Sequence, residues 1–187
     1  MNKNIIRILD ITLSLGGFVI ASPIMFLILI LGLLDTGKPL FRQVRLGLNQ
    51  KEFVLFKFRT MKIETESVAS HLANKGDITF LGRFLRRTKL DELPQLWNVL
   101  TGDMSLVGPR PCLPNQTELI NERISLDIFR ARPGVTGLAQ VNGIDMSTPK
   151  ILAEIESMML SNFCIRDYFY YILKTIFGAG RGDRIRD

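Results

Sequence analysis

Asp91 and Glu92 are adjacent carboxylates in a stretch, residues 86–111, that is crowded with cations. Arg86, Arg87 and Lys89 lie just before them and Arg110 lies after. A carboxylate pair ringed by cations suits a divalent metal together with a phosphorylated substrate. It also suits an aspartate nucleophile attacking phosphorus. The competing reading is structural: Asp91 caps a following helix and Glu92 complements its dipole. Taken alone, two neighbouring acids favour that reading, so the surrounding pattern has to decide.

Leu93, Leu96, Trp97 and Leu100 recur at i, i+3, i+4 and i+7, which is one apolar face of a helix. Pro94 fits only a first turn, so the helix is expected to start near Leu93, with Gly102 as its stop. The two carboxylates then sit at a helix N-terminus, where free N–H groups and a partial positive charge favour anions and phosphate. Downstream, Pro109 and Pro111 fix the backbone around Arg110. A rigid frame of this kind pre-organises a guanidinium for bidentate phosphate contact. Arg132 is likewise held before Pro133, in a tight turn leading into a short strand. Gly134 and Gly137 there permit backbone conformations or close approaches closed to other residues.

Phe41–Gly47 and Lys51–Met61 read as the arms of a hairpin around the turn Gly47-Leu48-Asn49-Gln50. Phe56 and Phe58 alternate with Lys57 and Arg59, which places the two cations on one face. Residues 62–77 are polar and aperiodic and read as a loop, either a lid over a site or a solvated insertion. Thr79 is placed to cap a basic amphipathic helix with Phe80, Leu81, Phe84 and Leu85 as its stripe. Residues 116–130 read as a helix capped by Thr117, and Thr148-Pro149 as the start of another carrying Ile151, Leu152, Ile155, Met158 and Met159 on one side. Residues 163–177 are rich in aromatics, which suits either a helix in a membrane interface or a packed terminal helix. The tail Gly178–Asp187 is expected to be mobile.

Composition narrows the partners. A chain of 187 residues with a formal net charge of +6 suits one domain and an acidic partner. Two cysteines, Cys112 and Cys164, make no disulfide framework, and a single histidine, His71, argues against a zinc site or a histidine-based triad. Residues 11–34 contain no charged side chain. As a helix they would reach about 36 Å, enough to cross a hydrocarbon core. Two features argue against a straight span. Ser22-Pro23 falls mid-run, where proline removes a hydrogen bond and kinks the axis. Basic residues also flank both ends, Lys3 and Arg7 before, Lys38, Arg42, Arg45 and Lys51 after, which places both on the cytoplasmic side. A helix broken at Pro23 that re-enters the same leaflet satisfies both.

The segments Leu90-Asp91-Glu92-Leu93-Pro94-Gln95-Leu96 and Gly102-Asp103-Met104-Ser105-Leu106-Val107-Gly108-Pro109-Arg110-Pro111 resemble the bacterial sugar transferase family, the monotopic polyprenyl-phosphate phosphoglycosyltransferases. Arg132 to Gly143, the two hairpin segments and the Ser22-Pro23 kink match in family order, so the resemblance covers about Asn4 to Asn142. Beyond that it loosens. The family's Asp-x-x-Tyr segment is replaced here by Glu154-Ile155-Glu156-Ser157-Met158, which leaves the C-terminal part of the pocket and the choice of sugar open.

The resemblance implies an α+β protein, with a kinked re-entrant membrane helix over 1–36, a small, mostly helical catalytic domain over 37–177 with a short hairpin and interfacial helices, and a tail over 178–187. It implies transfer of a phospho-sugar from a UDP-sugar to polyprenyl (undecaprenyl) phosphate with release of UMP, at the cytoplasmic face of the inner membrane. Asp91 is then the nucleophile, with Glu92 as base or second ligand to a Mg²⁺ cofactor held near Asp91. Arg45, Lys57, Arg59, Arg86, Arg110 and Arg132 are the substrate-binding candidates. The lipid bilayer is a partner, nucleic acid is not expected for want of stacking aromatics or a recognition motif, and assembly into a homo-oligomer is compatible with the chain. The rival reading is a non-catalytic membrane scaffold that kept the fold, for which Asp91→Asn would leave function intact.

Overall fold

The protein is described here by a computed structural model covering residues 3–65 and 74–178. His71, half of the expected lid and the tail after Gly178 lie outside the described residues. Helices and strands are mixed, with helix predominating. Helix α1, Lys3–Thr36, is long and apolar enough to cross a membrane. It runs on through Pro23. The carbonyl that proline cannot bond belongs to Val19, and the Ser22 hydroxyl donates to it at 2.7 Å.

α1 touches the rest of the protein along one stripe. Asp10, Ser14, Ile28 and Gly32 are buried, and Gly17 and Met25 half-buried, at helical spacing. Near its start, Ile6 and Leu9 pack against the main core, and Asp10 accepts from Ser105 Oγ, Leu106 N and Tyr168 Oη. Near its end, Ile28 joins Phe58 and Leu85, and Gly32 lies against Pro39. Small residues permit this close approach. The opposite face, including Ile20, Phe26 and Leu34, is exposed.

The hairpin forms as expected. β1 (Leu40–Leu46) pairs antiparallel with β2 (Glu52–Phe58), and Asn49 turns the chain with a φ of 52°. One face carries Gln43, Arg45, Leu55 and Lys57 toward the site. The outer edge of β2 is closed by buried Asn98, which accepts from Phe56 N and donates to Val54 O. Helix α2 (Phe80–Thr88) is capped by Thr79, whose hydroxyl accepts from Gly82 N at 2.9 Å. Gly82 is required there, since a Cβ would meet Thr60 O at 2.0 Å. Leu85 faces the core, while Phe80 and Phe84 face outward.

Helix α3 (Gln95–Thr101) ends at Gly102 in the left-handed region, φ 95°, as its glycine predicts. Its apolar face packs on two sides. Asn98 and Val99 are buried behind it, and Gln95 is buried beside the cleft described below. The apolar stripe turns toward α1, where Leu96 lies near Gly17 and the Trp97 ring meets Phe18. Leu96 also packs against the main core, and Leu93 against the cluster of Ile28, Phe58 and Leu85.

A second sheet was not anticipated. β3 (Ser105–Val107) pairs parallel with β4 (Gly134–Thr136), both short and mostly buried. The pairing is so close that a Cβ on Gly134 would fall 2.0 Å from Gly108 N. Helix α4 is shorter than predicted, Thr117–Ser125, with Gln116 rather than Thr117 at the cap position. Asp127, at φ 53°, turns the chain into a separate 3₁₀ turn, Ile128–Arg130. After α5 (Leu138–Val141), helix α6 (Pro149–Ser161) starts at the predicted proline, but Thr148 makes no side-chain cap bond. The buried stripe of α6 is Leu152, Ala153, Glu156 and Met159, leaving Ile151 and Met158 outside. Helix α7 (Ile165–Ile176) buries Tyr168 and Tyr171 and turns Ile165, Phe169, Leu173 and Ile176 outward.

Candidate active site

Lys89 ends α2 in the left-handed region, φ 58°. That conformation costs a non-glycine residue about 1 kcal/mol. It reverses the chain into a 3₁₀ turn, Leu90–Glu92, which runs directly into α3. Asp91 is buried in this turn, with Glu92 beside it. The cap position of α3 falls to Pro94, so neither acid is that helix's cap.

Six of the eight predicted catalytic and substrate-binding residues line one cleft: Arg45, Lys57, Arg86, Asp91, Glu92 and Arg110. They arrive from β1, β2, α2, the 3₁₀ turn and the loop after β3. Lys89, Gln95 and Gln140 complete its polar wall. Lys57 Nζ is 2.8 Å from Glu92 Oε1. Arg86 donates from Nε to Thr60 Oγ1 at 2.9 Å, while its Nη1 is buried without a partner among the described residues. A buried guanidinium nitrogen in that state is matched to an incoming anion. Arg45 donates from Nη1 to Pro111 O at 3.0 Å and from Nη2 to Gln43.

Two predicted residues lie elsewhere. Arg59 follows β2, donates to Lys38 O at 2.8 Å and stacks over Phe41 at 5.5 Å. Arg132 donates from Nε to Gly102 O at 2.9 Å and lines a separate cavity beside the start of α1.

The sequence reading missed a buried pair behind the cleft. Arg123 of α4 binds Glu156 of α6 through Nε at 2.8 Å and Nη2 at 2.6 Å. The same carboxylate accepts from Arg110 N at 3.0 Å. Burial pushes the Glu156 carboxyl up from its ordinary value, and Arg123 pulls against that shift. Burial also pushes the neighbouring Cys112 thiol up, so it is an inert core sulfhydryl. Both cysteines are free, as their number implied. The available signal for Glu156 was its spacing, four residues after Leu152 and three before Met159, which put a charge on a buried stripe. Gln140, within the Arg132 to Gly143 segment, was given no role; it is buried in the cleft wall, and its Oε1 has no partner among the described residues.

A model of the family described as bacterial sugar transferase matches residues 1–181. The chain belongs to the bacterial sugar transferase family. It is 42% identical over 138 residues to the uncharacterized sugar transferase EpsL of Bacillus subtilis, covering 73% of this chain and 68% of that one. It is 38% identical to the undecaprenyl-phosphate galactose phosphotransferase of Salmonella typhimurium, over 90% of this chain and 39% of that protein. It is 41% identical to the UDP-glucose:undecaprenyl-phosphate glucose-1-phosphate transferase of Escherichia coli, over 76% of this chain and 32% of that protein. The chain therefore spans about two thirds of the Bacillus relative and well under half of the other two.

Within a sugar transferase the cleft has a direct chemical reading. Its wall carries five cations, Arg45, Lys57, Arg86, Lys89 and Arg110, against two carboxylates. Such a site favours a polyanion, and its acids can serve as nucleophile, base or metal ligands. Among the described residues no cluster of three or more His, Cys, Asp or Glu forms a metal cage. Two adjoining carboxylates in a cationic cleft do fit Mg²⁺, which takes one or two carboxylates and completes its shell with phosphate oxygens and water.

Proposed function

We propose that this chain transfers a sugar-1-phosphate from a UDP-sugar to a polyprenyl phosphate through a covalent intermediate on Asp91. The observation that carries the reading is the placement of Asp91, buried in a turn within a cleft lined by Arg45, Lys57, Arg86, Lys89 and Arg110. The printed activities of the Salmonella and Escherichia relatives supply the substrate classes.

The first step forms a bond between a carboxylate oxygen of Asp91 and the β-phosphorus of the donor. The bond from that phosphorus to the bridging oxygen breaks, and UMP leaves with the electron pair. In the second step a phosphate oxygen of the polyprenyl acceptor attacks the same phosphorus, and the Asp91 carboxylate is released. Arg86 and Arg110 hold phosphate oxygens as charge shifts between them. Lys57 neutralises the leaving or entering phosphate, with Arg45 fixing the backbone beside Arg110. Bound Mg²⁺, held by Asp91 and Glu92, would supply charge neutralisation at phosphorus. Glu92 would otherwise serve as a base.

The membrane reading belongs to the same proposal. α1 enters and leaves the bilayer from the cytoplasmic side, and the cleft sits at headgroup level. The contacts of both α1 ends with one domain support this, as does the hydroxyl of Ser22 closing the carbonyl left open by Pro23. The outward aromatic and aliphatic residues of α2 and α7, beside Arg83, Arg87 and Lys174, suit a headgroup layer.

The test is UMP release from a panel of UDP-sugars by detergent-solubilised protein with Mg²⁺ and without acceptor. Stoichiometric UMP and a phosphosugar mass on the Asp91 peptide are expected, both lost in Asp91→Asn. UMP only on adding polyprenyl phosphate would sink the covalent route while keeping the transferase. No UMP in either condition from folded protein would favour the scaffold.

A further inference from the structure

The loop that presents Arg110 is tied down one residue at a time. Pro109 O accepts from Gly134 N of β4 at 2.7 Å. Pro111 O accepts from Arg45 of β1, and Cys112 O accepts from Leu46 N at 2.9 Å. The tie at Arg110 itself runs from its N–H to Glu156 Oε1, on α6, at 3.0 Å. Pro109 and Pro111 have no N–H to offer, so the Arg110 amide is the donor available between them.

Glu156 is 1% exposed, and its partner Arg123 is 2% exposed. Burying two charges is expensive, and well-packed apolar side chains of similar volume stabilise as well or better. The pair therefore calls for a reason beyond stability. The bidentate contact from Arg123 uses both carboxylate oxygens, and Oε1 also accepts from Arg110 N. A buried acceptor for that lone amide fixes the loop at Arg110. The guanidinium of Arg110 then enters the cleft from a backbone that cannot rotate away.

We propose that Glu156, held in place by Arg123, is a positioning residue that sets the Arg110 guanidinium for the donor's diphosphate. The inference rests on the reading that the cleft takes a UDP-sugar. It gives α4 and α6, which lie behind the cleft, a part in donor binding.

The experiment compares two double variants of the full chain. Arg123→Met with Glu156→Leu removes both charges and the acceptor. Arg123→Met with Glu156→Gln removes both charges but keeps an amide oxygen for Arg110 N. The readouts are thermal unfolding, UDP affinity by calorimetry and donor KM. With matched unfolding temperatures, the leucine double is expected to lose on the order of 10-fold to 100-fold in UDP affinity and donor KM, and the glutamine double to recover most of it. Equal losses in both, or no loss in either, would overturn the proposal. If the doubles fold poorly, Glu156→Asp and Arg123→Lys ask the same question with an ion pair retained. The shortened acid withdraws from Arg110 and should weaken UDP binding; the lysine leaves Glu156 in reach and should not. The reverse order, or no difference, overturns it. Native protein that binds UDP but transfers nothing would sink the transferase reading alone, because the UDP arm still tests Glu156.

Discussion

Lys57 Nζ lies 2.8 Å from Glu92 Oε1, joining the hairpin to the turn that carries Asp91. Their side chains are only 17% and 20% exposed, and both line the cleft. In the proposed reaction Lys57 is needed by phosphate and Glu92 by acceptor or metal, so the pair must part when substrate enters. Lys57→Met is expected to raise donor KM about 10-fold, while Glu92→Gln lowers kcat more than it changes KM. Stability should fall by no more than about 1 kcal/mol in either. Steady-state kinetics on both variants decide; the same change in both parameters for both variants would contradict separate roles.

Arg86 is held to Thr60 through Nε and keeps Nη1 buried in the cleft. Arg86→Lys retains charge but loses the fork, and should cost kcat/KM about 10-fold or more. Arg86→Ala should cost at least as much again. Kinetics with the donor varied is the measurement, and wild-type behaviour of the lysine variant would count against a bidentate phosphate contact.

Tyr168 donates to Asp10 at 2.8 Å, and burial followed by the nearby carboxylate pushes its phenol well above its usual range. The folded state keeps the proton at pH values where the unfolded chain, with an ordinary phenol near 10.0, releases it. This contribution is full below pH 10 and is lost as pH rises, at up to about 1.4 kcal/mol per pH unit. Tyr168→Phe should be less stable by about 1 kcal/mol at neutral pH, with its melting temperature converging on the wild type above pH 10. Parallel melting curves across that range would refute the linkage.

A methyl group discriminates the crowded glycines from the idle ones. Gly134→Ala places Cβ 2.0 Å from Gly108 N and should separate β3 from β4, costing several kcal/mol and the cleft wall with it. Gly16→Ala meets nothing within 4 Å in α1 and should be neutral or stabilising by up to about 1 kcal/mol. Thermal melts of the two variants check both.

Local chemistry was legible where short-range signals dominate. Pro94 and Gly102 marked the limits of α3 to within two residues, Gly47–Gln50 marked the hairpin, and Thr79 marked the cap of α2. The clustering of Arg45, Lys57, Arg86 and Arg110 around Asp91 followed from motifs that the chain shares with its family. What stayed hidden depends on partners far along the chain. β3 and β4 are three residues each and mostly buried, so neither alternates, and their pairing joins Ser105 to Gly134. The stripe on α3 was real, but spacing names a face without naming what covers it. Arg123 and Glu156 are 33 residues apart, and nothing local links them. Arg132 was placed with the substrate-binding residues through its family motif; in the fold it donates to Gly102 O beside a separate cavity.

Arg7, in the second turn of α1, reaches across to donate to Val99 O at 2.6 Å and Leu100 O at 2.9 Å. Those are carbonyls at the far end of the short helix whose other end adjoins Asp91. One side chain of α1 is thereby tied to the helix that follows Asp91. In the proposed reaction, the depth α1 takes in a lipid phase would pass through this tie to Asp91, making bilayer thickness a variable of the rate.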